Sequence, residues 1–98
     1  MTVEAPRPVV PIADATPGEI VRVHGTIGYI VVEPGDAPPA LTATVADDTG
    51  EIDAVFMGRR AIAGIEPGRA VTIQGRVAHD DGRAHIFNPW YELNGNGA

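Results

Sequence analysis

Residues 20 to 32 read Ile-Val-Arg-Val-His-Gly-Thr-Ile-Gly-Tyr-Ile-Val-Val, with Val21, Val23 and Ile27 on one parity and Arg22, His24 and Thr26 on the other. A period of two marks a strand with one face in a core. Beyond Gly28 the apolar parity switches to Ile30 and Val32. One inserted residue, a β-bulge at Gly28, would cause that switch and bend the strand. After a proline-rich loop at 33 to 39, Leu41, Ala43 and Val45 alternate with Thr42, Thr44 and Ala46. The word Asp47-Asp48-Thr49-Gly50 then breaks the pattern, and residues 51 to 57 resume it, which predicts a hairpin with Gly50 at a positive φ. A fourth strand is predicted over 70 to 78, with Val71, Ile73 and Val77 inward. His79-Asp80-Asp81-Gly82 makes a second hairpin turn, and a last strand runs over 83 to 93. Pro89 cannot donate to a ladder and marks an edge or a bulge in it. The span 58 to 69 lacks alternation; Ala61, Ile62 and Ala63 predict a short helix, with Gly64 as its stop.

The chain contains an internal echo. Residues 17 to 27 (PGEIVRVHGTI) and 67 to 77 (PGRAVTIQGRV) share a Pro-Gly turn, an inward apolar pair and a glycine two residues later. A glycine at that point lets a strand coil sharply, as strands of a closed barrel must. Two copies are too few for a repeat array; they predict two similarly bent strands in one closed sheet.

Long bent strand, strand, strand, short helix, strand, strand is the order of the OB-fold, an all-β, five-stranded Greek-key barrel with a helix between strands three and four. Five words of the sequence resemble the OB-fold nucleic-acid-binding family. They are Val-x-Val-x-Gly at 21 to 25, Asp-Asp-Thr-Gly at 47 to 50, Phe-Met-Gly-Arg-Arg at 56 to 60, Ile-Glu-Pro-Gly-Arg-x-Val-x-Ile-x-Gly-Arg-Val at 65 to 77, and Asn-Pro-Trp-Tyr-Glu-Leu at 88 to 93. That family includes transfer-RNA anticodon-binding domains, the wedge domain of RecG-type branch-migration helicases and short stand-alone bacterial OB proteins. The resemblance covers residues 12 to 93, which read as one domain. Residues 1 to 11, with Pro6, Pro8 and Pro11, read as a flexible arm, and 94 to 98 as a flexible tail. What the resemblance implies is a non-catalytic module for single-stranded or branched DNA, with RNA as the alternative.

Composition bears directly on that implication. The 98 residues, 44% hydrophobic and 20% charged, suit one globular domain. With no cysteine there is no disulfide or thiolate metal site. No apolar run approaches the length of a membrane span, and the start lacks the pattern of a secretory signal, so a cytoplasmic location and no membrane partner are expected. The formal net charge is −6, and all seven basic residues are arginines. Such a field repels a polyanion, so nucleic-acid binding has to come from a local cluster and be weak and salt-sensitive.

The chain has no serine or cysteine nucleophile, and its three histidines sit in no triad-like context. No enzyme activity, cofactor or metal is expected. The aspartates at 47–48 and 80–81 suit turns, where carboxylates accept backbone N–H bonds. Outward positions on the second and third strands are Thr42, Thr44, Glu51 and Asp53, which offer no aromatic platform. The candidate nucleic-acid contacts are therefore at the rims: Arg59 and Arg60 after the third strand, His79 and Arg83 around the last hairpin, Tyr29 before the first loop and Trp90 after Pro89. The structural alternatives are surface ion pairing with the many acids for Arg59 and Arg60, a plain surface or strand histidine for His79, and core or barrel-end packing for Trp90 and Tyr91. Phe56 and Phe87 read as core or half-core. A second function class stays open, a module that binds protein or itself, which an apolar patch of Val55, Met57 or Ile65 would favour.

Overall fold

The computed structural model describes residues 7–33 and 38–95. Six strands follow in chain order: β1 (Ile20–Val32), β2 (Ala40–Asp47), β3 (Gly50–Met57), β4 (Ala70–Asp80), β5 (Arg83–Phe87) and β6 (Trp90–Leu93). Pairing runs β1–β2–β3–β5–β4 and returns from β4 to β1, so five strands close a ring. Every contact in the ring is antiparallel except β3 with β5. Closure leaves the five ring strands paired on both sides over part of their length, and β6 is the edge strand, paired with β4. The ring encloses a core of aliphatic side chains from every wall, with Val23, Val45, Ile52 and Ile86 fully buried.

The two echo segments prove to be each other's partners. Val23 pairs with Ile73, Val21 with Gly75, and Gly25 with Val71, so the antiparallel pair is two-fold about its centre. The flanks obey the same symmetry. Gly18 N–H donates to Val77 C=O at 2.8 Å and Gly68 N–H to Ile27 C=O at 2.7 Å, both glycines having φ of 89°. The two mid-strand glycines sit at close approaches. A Cβ on Gly25 would lie 2.4 Å from the backbone oxygen of Ala46, and one on Gly75 would lie 2.5 Å from Ile86 Cγ2.

The bulge expected at Gly28 is present, as a register shift between Ile27 and Tyr29 against β2. The strand expected over 83 to 93 is split in two. Asn88 (φ 50°) and Pro89 break it, and β6 resumes against β4 one residue out of register with β5. Gly50 does not take the positive φ expected of it. It opens β3 opposite Asp47, and the turn is held instead by the Asp47 carboxylate, which accepts from the N–H groups of Thr49 and Gly50.

The helix expected over Ala61–Ala63 is absent: residues 58–69 are turns and irregular chain. Gly58, Gly64 and Gly68 all adopt positive φ and Pro67 lies among them. The short stretch left between them cannot repay helix nucleation. Ile62 and Ile65 nonetheless join the buried core. The helical turn among the described residues is a 3-10 turn at Ile12–Asp14, whose Ile12 is buried. It is tied to the β2–β3 turn by Ile12 N–H to Asp47 Oδ2 and Ala13 N–H to Thr49 Oγ1, both 2.9 Å. Of the arm expected at 1 to 11, residues 1–6 lie outside the described residues, and Val9 forms a parallel bridge with Arg22. Of the tail expected at 94 to 98, residues 96–98 lie outside them too.

The two glycines of β1 make contrasting predictions. Gly25→Ala forces a methyl group into the β2 backbone and costs about 1–3 kcal/mol, the range for overpacking a core. Gly28→Ala meets nothing nearer than 4.0 Å and shifts stability by less than about 0.5 kcal/mol. Urea denaturation of both variants beside the parent chain checks the pair; equal midpoints for the two variants would contradict the close-approach argument.

Candidate binding face

The bulge at Gly28 resets which β1 side chains face outward. Beyond it, Tyr29 and Val31 stand on the outer surface in register with β2 and β3. One row across the wall is Tyr29, Thr44, Asp53 and His85; the next is Val31, Thr42, Val55 and Phe87. Ala40 and Met57 extend the face toward the β3–β4 loop, and Ala46 with Glu51 extend it toward the β4–β5 hairpin.

The first row is polar and self-satisfied. Thr44 Oγ1 donates to Asp53 Oδ1 at 2.8 Å. Arg83 grips the same carboxylate with both ends of its fork, Nε to Oδ2 at 2.9 Å and Nη2 to Oδ1 at 2.8 Å. Burial by itself raises the Asp53 pKa, but the bonds from Arg83 and Thr44 outweigh it and hold the carboxyl below its ordinary value. The Asp53 carboxylate in turn raises the Arg83 pKa. His85 Nδ1 lies 3.9 Å from Asp53 Oδ2, and its ring meets Phe87 edge-on at 5.5 Å. Thr44 and Asp53 do face outward as their parity predicts, yet both are buried beneath this network. The Arg83 charge is already matched by Asp53.

The second row is apolar and open. Phe87 is 53% exposed, against the expectation of a core or half-core ring. The inward place belongs to its neighbour Ile86, which is fully buried. Strict alternation through Arg83, His85 and Phe87 was the signal that identifies Phe87 as outward. Tyr29 is 51% exposed, and Val31 and Met57 are exposed beside it, with Val55 half-buried. Ile65 is core, so it contributes nothing to this patch. Phe56 faces inward as expected and packs edge-on against Tyr91 at 5.5 Å.

The remaining rim candidates disperse. Arg59 and Arg60 follow Met57 and Gly58 at the apolar end of the face, both exposed, and among the described residues neither makes an ion pair. His79 is exposed at the other end, on β4 beside the hairpin. Trp90 is on β6, beside Gln74 and away from this face, with the Arg22 guanidinium 4.4 Å from its ring centroid. Tyr29 and Arg83 thus share one region, Arg59–Arg60 flank it, and Trp90 stands apart. Among the described residues no group of three metal-ligating side chains occurs, and no helix is long and apolar enough to cross a membrane.

No protein-family model and no curated protein sequence matches the chain. Solved structures do. The chain is similar to part of RecG, solved bound to a three-way DNA junction, with a TM-score of 0.74 and 22% identity over 93% of this chain and 13% of that one. It is also similar to the HINb domain of p204, with a TM-score of 0.69 and 15% identity over 89% of this chain and 47% of that one. The chain therefore spans less than half the length of either. At these identities the likeness carries the fold, and the chain is a five-stranded OB-fold barrel.

The Asp53–Arg83 pair gives a pH dependence of fixed sign. Because the folded pKa of Asp53 lies below its unfolded value, the pair's stabilisation is full above the ordinary aspartate range and is lost as pH falls through the folded pKa. Asp53→Asn therefore costs about 1.5–3 kcal/mol at pH 7, the range for a hydrogen-bonded charged group, and the deficit shrinks below about pH 4. Denaturant titrations of both proteins across that range check it; a deficit independent of pH would remove the carboxylate's charge from the explanation.

Proposed function

We propose that this chain is a non-catalytic nucleic-acid-binding module that holds single-stranded or branched DNA across the outer face of β1, β2, β3 and β5. The observation that carries this reading is the pair of exposed aromatic rings on one sheet face, Tyr29 and Phe87, flanked by Arg59 and Arg60, which make no ion pair among the described residues. Three strand spacings separate β1 from β5, so the rings stand roughly 14 Å apart across the wall. Unstacked bases lying over Thr42 and Val55 can reach both. Stacking on an aromatic side chain suits any base and contributes about 1–3 kcal/mol per base. The likeness to RecG, solved on a DNA junction, supports the same reading. A formal net charge of −6 leaves little general attraction for phosphates, so affinity rests on stacking and a few arginines and falls with salt.

The exposed apolar row of Val31, Met57 and Phe87 favours a second reading, in which the same face docks a protein or a second copy of the chain. Salt separates the two, because apolar docking is insensitive to it or strengthened by it.

Fluorescence anisotropy of labelled single-stranded DNA, a three-way junction and single-stranded RNA at low and moderate salt tests the proposal. Phe87→Ala is expected to weaken DNA binding about 5- to 140-fold, equivalent to one stacked base. Arg59→Ala/Arg60→Ala is expected to flatten the salt dependence by about 1.4 in the log–log slope, two single-strand phosphates' worth. No binding at low salt, together with self-association lost in Phe87→Ala, would replace this reading with the second.

A further inference from the structure

On the opposite wall, where β1, β4 and β6 meet, Arg22 is 9% exposed in a chain with nearly twice as many acids as bases. Buried arginines are ordinarily paired with a carboxylate. Among the described residues Arg22 has none. Its Nε donates to Gln74 Oε1 at 3.0 Å and its plane lies over Trp90 at 4.4 Å. Among the described residues the terminal nitrogens have no partner and no buried polar atom is unsatisfied, so that edge of the guanidinium meets solvent. Arg76 lies in the next row on β4, exposed, with Nη1 donating to the Gly18 carbonyl. Glu92 lies in the row of His24 and Thr72, and among the described residues it makes no ion pair with Arg22 or Arg76; Asp47 and Asp48 line a depression with His24 farther along β1. The arrangement is a guanidinium locked in place at Nε and on one face, with its bidentate edge free, which is the geometry that receives a phosphate.

We propose that this wall is a second phosphodiester contact, in which Arg22 and Arg76 hold the backbone of the same nucleic-acid strand that crosses the Tyr29–Phe87 face. The inference rests on the nucleic-acid reading above. The route between the two walls is β1 itself. His24, Thr26 and Gly28 are exposed in sequence from Arg22 to Tyr29, and the bulge keeps this track on the outer surface past Gly28. The strand thus wraps the barrel along β1 and does not stop at the aromatic face.

Trp90 is the sole tryptophan, so its emission reports on this wall alone. The full chain is titrated with a thymidine oligonucleotide at low salt, following anisotropy of the labelled DNA, Trp90 emission and the Arg22 Nε–H resonance by NMR. Expected is a Trp90 and Arg22 response at the same concentration as the anisotropy change, retained in Arg59→Ala/Arg60→Ala. Arg22→Gln should abolish the Trp90 response. Arg76→Ala, an exposed change that leaves the core untouched, should weaken binding and lower the salt slope by about 0.7, one single-strand phosphate's worth. Normal anisotropy with silent Trp90 and Arg22 signals, or an unchanged slope in Arg76→Ala, overturns the second contact and leaves the first face standing. No anisotropy change at all overturns the nucleic-acid reading, and this inference with it.

Discussion

The antiparallel pairing of β1 with β4 is the constraint from which the rest of the barrel follows. A closed ring of only five strands needs strands that coil hard, and hard coiling brings backbone against backbone. Gly25 and Gly75 stand where a Cβ would meet a neighbour at 2.4–2.5 Å. Because the two segments are related by a local two-fold axis, one solution serves twice: each glycine pairs with the other strand's valine, and each Pro-Gly turn feeds a hydrogen bond to the other strand's far end. Val23 and Ile73, both fully buried, sit on the axis. Once this pair is set, the upper half of β1 is free to leave β4 and pair with β2, and the ring can close.

The symmetry is confined to backbone and core. On the outer surface it is broken, and function is read from the break. The cross-strand pair Arg22–Gln74 is related by the axis to Thr72–His24, and both are hydrogen-bonded. The first is covered by the Trp90 ring; the second adds Asn94, which accepts from Thr72 Oγ1. A common frame thus presents a caged cation in one half and a small neutral network in the other. The inward pattern was dictated by closure, whereas the outward pattern was free to specialise.

That division accounts for what could be read from the sequence. Strand existence, both hairpins, the bulge at Gly28 and the barrel order were legible, because burial on one face imposes a period of two and a bulge breaks it visibly. The helix was misread because Ala-Ile-Ala has the right composition while the three flanking positive-φ glycines leave no room for a nucleated turn. Phe87 was misread because an aromatic ring beside Ile86 looks like core, although parity alone gives only one of two neighbours to the interior. The fate of Arg83 was not legible. Its partner Asp53 is 30 residues away, on a strand it meets only through the parallel contact of β3 with β5.

The charges show why a net value of −6 is a poor guide to a local surface. Acids and bases are not mixed evenly over this barrel. Asp47 is consumed in holding a turn and the 3-10 segment, accepting from Ile12, Thr49 and Gly50. Asp53 is consumed by Arg83. Both carboxylates are held in their ionised form by the bonds they accept, and the charge of Asp53 is matched by Arg83. Arg59, Arg60 and Arg22, by contrast, make no ion pair among the described residues. For an acidic chain this is the economical way to keep cationic contact points. Asp47 and Asp53 serve the fold, while Arg59 and Arg60 stand on a surface that the core does not need.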